Sequence, residues 1–151
     1  MSGLTNGYVE SLGKKHCKHF LGVFPCNIHP QVNKNIKNFS LIFNESKHNE
    51  DGTHFIAIFL SNNKLFYFDS LGLKCENEYI LKFLKKFEKD IIENKKQIQS
   101  YNSIFCGYFC LAFVTFMTKY NDLNKFLNIF NEKNLKLNDK IIVELLINLI
   151  E

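Results

Sequence analysis

Along the chain, apolar runs alternate with breaks rich in lysine and asparagine, and the spacing within each run sets the element it predicts. Val9 and Leu12 lie three apart and predict a short helix from Tyr8 to Lys15. The segment Phe20 to Asn27 is expected to be extended or turning, because Pro25 and Pro30 end any helix there. Phe39 to Phe43 is a candidate strand, and the polar stretch Asn44 to Gly52 is a loop. His54-Phe-Ile-Ala-Ile-Phe-Leu60 and Lys64-Leu-Phe-Tyr-Phe-Asp69 predict a hairpin that turns at Ser61 to Asn63, with Leu60 opposite Lys64. Both strands are apolar on both faces, so the sheet should be covered on both sides.

Further on, Ile80, Leu84, Phe87 and Ile91 form one stripe and predict an amphipathic helix from Asn77 to Lys96. Gln97 to Tyr101 suits an edge strand. Ile104 to about Lys119 is apolar nearly all round, which predicts a buried central helix capped by Ser103. Two helices, about Asp122 to Phe130 and Asp139 to Leu149, follow. No repeat, linker or second domain is visible. The expectation is one α+β domain over residues 1–151, with a small mixed sheet packed on the central helix and further helices around it.

Composition changes this picture little. Hydrophobic residues make up 46% and charged residues 23%, which suits a folded chain. The net charge is +4, but every basic residue is lysine, the lysines are spread out, and no arginine is present for bidentate phosphate contacts. Contact with nucleic acid is permitted and not argued for; a solvated surface is the better reading. The five cysteines are an odd number, and the first ten residues hold no apolar signal core. Both features predict a reducing compartment, without secretion. No apolar run reaches a membrane span, and no second Cys/His pair has metal-ligand spacing, so neither membrane contact nor a cofactor is expected.

The candidate chemistry sits in Gln99-Ser-Tyr-Asn-Ser-Ile-Phe-Cys106-Gly-Tyr-Phe-Cys110 together with His54. A cysteine in the first turn of a helix meets unpaired backbone N–H groups and the positive end of the helix dipole, both of which favour a thiolate. A histidine at a strand start can take its proton. Asp69 ends the next strand, about as far from the hairpin turn as His54, and can fix the imidazole tautomer. Glu50 and Asp51 are rival acids, too near His54 in sequence to face its ring easily. A glutamine amide can donate to an oxyanion; Gln99 is the candidate and Gln97 its competitor. Each residue has a plainer alternative: a buried cysteine, a surface histidine, a strand-ending aspartate, a polar strand residue. Cys110 lies one turn beyond Cys106 and reads as core, and Cys17, Cys26 and Cys75 carry no argument beyond packing.

The order His54, Asp69, Gln99, Cys106 resembles the clan of adenovirus maturation proteases and ubiquitin-like-protein proteases, and the adenovirus type more closely. Gly-Thr-His54-Phe resembles that family's Gly-x-His-Trp, and Leu65-Phe-Tyr-Phe-Asp69-Ser-Leu-Gly72 resembles its strand ending in an acid and a Phe-Gly turn. Gln99 to Cys110 matches its Gln-x-x-Asn-Ser-x-x-Cys-Gly-x-Phe-Cys with identical spacing. Three departures stand out: Phe55 replaces tryptophan, Asp69 replaces glutamate, and no cysteine lies between Glu76 and Ser100. The last argues against a disulfide-linked peptide activator.

The resemblance implies a cysteine endopeptidase with Cys106 as nucleophile, His54 as base, Asp69 as orienting acid and Gln99 as oxyanion donor. It further implies protein substrates that are viral or virus-like structural precursors; with the activator's cysteine missing, either constitutive activity or a peptide activator that adds non-covalently as a strand is expected. Two other readings remain open: an isopeptidase for ubiquitin-like modifiers, and a non-catalytic virion-associated binding protein.

Overall fold

The architecture is that of a computed structural model, which describes residues 5–47 and 54–151. The candidate loop acids Glu50 and Asp51 lie outside the described residues. Helix α1, Asn6–His16, starts where the Thr5 side chain accepts from the Tyr8 N–H. Strands β1 (Phe20–Pro25), β2 (Phe39–Asn44), β3 (Phe55–Ser61), β4 (Lys64–Phe68) and β5 (Ile91–Glu93) form one sheet in the order β1-β2-β3-β4-β5. The two outer pairs are parallel and the two inner pairs antiparallel, so the sheet is mixed.

The sheet is covered on both faces, as its doubly apolar strands require. On one face Leu41, Phe43, Ile56, Ile58 and Tyr67 pack against Ile80, Phe83 and Leu84 of α2, Glu78–Lys85. On the other, Ala57, Phe59, Phe66 and Phe68 pack against α3, Cys106–Tyr120. Leu111, Ala112, Phe113 and Val114 of α3 are fully buried, and Phe113 stacks on Phe68 at 4.4 Å between ring centroids. Helices α4, Leu123–Leu127, and α5, Leu135–Ile150, close that side, with Ile142 and Leu146 of α5 joining the core. The α+β expectation, a mixed sheet on a buried helix that carries a cysteine at its start, therefore holds.

Several local expectations are corrected. The hairpin turns on Asn62 and Asn63, both with positive φ, so Ser61 pairs with Lys64 and Leu60 with Leu65. Asparagine tolerates that left-handed conformation, which suits a two-residue turn. The helix expected from Asn77 to Lys96 stops at Lys85, because Glu88 adopts φ 52° and the chain then enters β5 beside β4. The edge strand is thus Ile91–Glu93, and residues 97–101 are irregular. Ser103 does not cap the central helix: Phe105 occupies that position with no side-chain bond, while the Ser103 hydroxyl accepts from the Phe105 N–H. Helix α5 begins at Leu135, ahead of the expected Asp139, because Asn134 caps it through the Leu137 N–H.

Candidate active site

The sheet ends that carry His54 and Asp69 meet the start of α3. The corrected register matters here. With Ala57 opposite Phe68, Asp69 falls beyond Ile56, and Ile56 and His54 share a face of the sheet. A slip of one residue would have put Asp69 beside Phe55, on the opposite face. Instead His54 Nε2 donates to Asp69 Oδ1 at 2.8 Å, with side-chain exposures of 15% and 3%.

The acid is held from three sides. Asp69 Oδ1 also accepts from the Leu71 N–H at 2.9 Å. Asn94 grips the Asp69 backbone: its Oδ1 accepts from the Asp69 N–H at 2.9 Å and its Nδ2 donates to the Asp69 carbonyl at 2.6 Å. The turn then closes with the Gly72 N–H on the Asp69 carbonyl. Gly72 has φ 73°, and a β-carbon there would meet the backbone of residues 95–97 at about 3 Å. That close approach brings the segment leading to Gln99 against the end of β4.

His54 is pulled down by burial, but this is outweighed by its hydrogen bond to Asp69, by a second one to the Cys106 thiol, and by the negative charge of both groups. Its pKa is pushed up to about 10. Because Nε2 is engaged by Asp69, Nδ1 is the nitrogen left to face the thiol. These influences favour the protonated ring. Cys106 is partly exposed, whereas Cys110 is fully buried and burial pushes its thiol well up, so the second cysteine has the environment of an inert core residue.

Gln99 is 2% exposed and its amide is oriented at both ends. Oε1 accepts from the Ser70 hydroxyl, and Nε2 donates to the Ser103 carbonyl at 3.1 Å. Its competitor Gln97 instead spends its own amide on the Gln99 carbonyl. The Gln99–Phe105 loop is tied to α5, where Asn138 donates to the Ile98 carbonyl and Asp139 accepts from the Ser103 hydroxyl, both at 2.8 Å.

His54 and Asp69 therefore stand at one end of the sheet and Cys106 at the start of α3, while Gln99 lies in the irregular segment before α3, tied to Ser70 and Ser103. Supporting residues, among them Ser70, Asn94 and Glu45, were not anticipated. Ser70 and Asn94 read as ordinary polar residues; the only signal was the adjacency of Ser70 to Asp69. Glu45 was placed in a polar loop, yet its N–H donates to the His54 carbonyl and burial raises its carboxyl pKa, partly offset by His54. It lines a pocket of about 340 Å³ with His54, Asp69, Leu71 and Leu73. Among the described residues no cluster of His, Cys, Asp or Glu could hold a metal ion, and no helix is long and apolar enough to cross a membrane.

Among solved structures, the chain is similar to one described as the SUMO protease Ulp1 with the catalytic cysteine oxidized to a sulfinic acid. Identity is 15%, the TM-score is 0.47, and the alignment covers 98% of this chain and 79% of that one. No curated protein matches the sequence. The family model for the adenovirus endoprotease matches residues 20–141, which takes in His54, Asp69, Gln99 and Cys106, and on that match the chain belongs to the adenovirus endoprotease family.

Proposed function

We propose that Cys106 is the nucleophile with which this cysteine peptidase cleaves its protein substrates. The observation that carries the reading is the His54 ring, held between Asp69 at 2.8 Å and the Cys106 thiol. The Cys106 sulfur attacks the scissile carbonyl carbon. The carbonyl oxygen takes up negative charge and meets the Gln99 amide and the Cys106 backbone N–H, which lies in the first helical turn and so has no intrahelical partner. The imidazolium then protonates the leaving amine, and the acyl group remains as a thioester. Water, activated by the neutral imidazole, hydrolyses the thioester and restores the thiol. Asp69 orients the ring and stabilises its positive form without accepting the proton.

Family membership supports substrates that are viral or virus-like structural precursors processed during maturation. An isopeptidase acting on ubiquitin-like modifiers is the alternative, and no observation in this structure favours it. Activation, if required, proceeds through non-covalent strand addition at a sheet edge, since the stretch after Glu76 and before Ser100 has no cysteine for a disulfide. Nucleic acid has a weaker basis, an arginine-free and dispersed positive charge.

The test is co-expression with candidate structural precursors, followed by mass spectrometry of new termini. Cleavage by the wild type and none by Cys106→Ala is expected. Equal cleavage by both would refute the assignment of the nucleophile.

A further inference from the structure

Ser70 follows the candidate orienting acid directly, and it is fully buried. Its hydroxyl donates to Oε1 of Gln99, while its carbonyl accepts from the backbone N–H groups of Ile98 and Gln99 at 2.9 and 3.0 Å. The Ser103 carbonyl can only accept, so the Gln99 atom facing it must be the nitrogen. That fixes Oε1 towards Ser70, and the hydroxyl must be the donor there. The amide nitrogen carries two hydrogens, and among the described residues one acceptor, Ser103, takes one of them. The other is available to a developing oxyanion.

We propose that Ser70 is a positioning residue for catalysis: it anchors the Gln99 side chain, so that the amide hydrogen not taken by the Ser103 carbonyl is held towards the reacting carbonyl. The inference rests on the peptidase reading above and adds a residue to it. A rotated amide would present Oε1 to both the Ser103 carbonyl and the oxyanion, two repulsive contacts. The Ser70 hydroxyl can bond either end of the amide, so the Ser103 carbonyl sets which end faces it, and Ser70 anchors the side chain to the end of β4. Without it, Oε1 is buried and unpaired, and the amide is freed to seek another partner. Asp69 and Ser70 thus assign neighbouring tasks to one strand end: Asp69 sets the base and Ser70 sets the oxyanion donor.

The experiment is a double-mutant cycle on a peptide substrate with wild type, Ser70→Ala, Gln99→Ala and the double variant. Thermal unfolding of each is recorded alongside. Ser70→Ala should lower kcat about tenfold with KM little changed, part of the roughly 10²–10³-fold that follows outright removal of an oxyanion donor. In the Gln99→Ala background the same substitution should change kcat by less than about twofold, because a residue that acts through Gln99 has nothing left to position. Equal losses in both backgrounds, or wild-type kcat in Ser70→Ala, would overturn the proposal. Should Ser70→Ala fail to fold, Ser70→Cys keeps the shape with a weaker donor and should show an intermediate kcat; wild-type kcat there overturns the proposal too. The side-chain amide signals of Gln99, followed by NMR, separate this inference from the peptidase reading. In the wild type they should exchange slowly with solvent, and in Ser70→Ala several-fold faster. Unchanged exchange refutes the contact even if the enzyme is active. Accelerated exchange supports it even if no peptide is cleaved, a result that would count against the peptidase reading alone.

Discussion

Asp69→Asn separates the charge of the acid from its shape. In the folded chain, burial pulls His54 down, and the bond to Asp69 is the first of the influences that raise it, followed by Cys106; the result is a pKa of about 10, against 6.5 ordinarily. At about 1.4 kcal/mol per pH unit, that gap corresponds to about 5 kcal/mol in favour of the imidazolium, shared between Asp69 and Cys106. The group's pKa is raised on folding. Its contribution to stability is therefore complete below the ordinary 6.5 and disappears as pH rises through about 10. The asparagine variant keeps the volume of the side chain and loses its charge. The expected stability gap between wild type and variant is about 2–3 kcal/mol at pH 6, or roughly 5–10 °C in Tm for a domain of this size. The gap should narrow steadily from pH 7 to pH 10. The comparison is repeated in a Cys106→Ala background, which removes the thiol from beside the ring. Thermal unfolding by circular dichroism between pH 6 and 10 measures the gap, and NMR of labelled histidine reads His54 directly. A Tm gap that is flat across this range, or a wild-type His54 that titrates near 6.5, would refute the reasoning. In activity, kcat/KM should fall roughly 10²- to 10⁴-fold, because the ring loses its fixed tautomer.

Cys106→Ala and His54→Ala should each abolish proteolysis, and the double variant should be no worse, since the pair works as one unit; additive losses in single-turnover assays would contradict this. Cys110→Ala should retain most activity and destabilise the fold by about 1 kcal/mol through a small cavity in α3's core, checked by denaturant melts; loss of alkylation by iodoacetamide in this variant but not in Cys106→Ala would identify the other thiol as the reactive one. Phe113→Ala should cost about 3–5 kcal/mol, because the ring is fully buried and stacked on Phe68; a loss under about 1 kcal/mol would show that α3 is not anchored there. Purified protein should cleave its substrate in reducing buffer with no intermolecular disulfide; activity that vanishes on reduction of a linked partner and returns on reoxidation would contradict the proposed mode of activation.

The four candidate site residues could be picked from the sequence because each carries a local signal. Cys106 opens an apolar helix, His54 and Asp69 end strands, and Gln99 stands at a fixed interval before the cysteine. The hairpin was legible from composition, but its register was not, since a turn of two asparagines and one of three residues differ only in backbone angles. The helix after Asn77 was overextended because Phe87 and Ile91 continue the helical stripe; the break at Glu88 comes from Ile91 and Ile92 pairing with β4, a contact between elements that no local pattern records. Asn94, Ser70 and Asn138 escaped notice for a related reason. Each is a polar residue in an unremarkable setting whose partner, Asp69, Gln99 or Ile98, lies beyond reach of any periodicity.

The ties from α5 to the loop before Cys106 bear on when this molecule becomes dangerous to its surroundings. Asn138 and Asp139 hold Ile98 and Ser103, and Ser103 in turn accepts from the Gln99 amide. During synthesis, His54, Asp69, Gln99 and Cys106 all leave the ribosome before those two residues do. A nascent chain that already holds all four candidate residues still lacks the brace that shapes the loop between Gln99 and Cys106. The order of residues along the polypeptide therefore delays the brace: the loop before Cys106 takes its final shape only once α5 has docked against it.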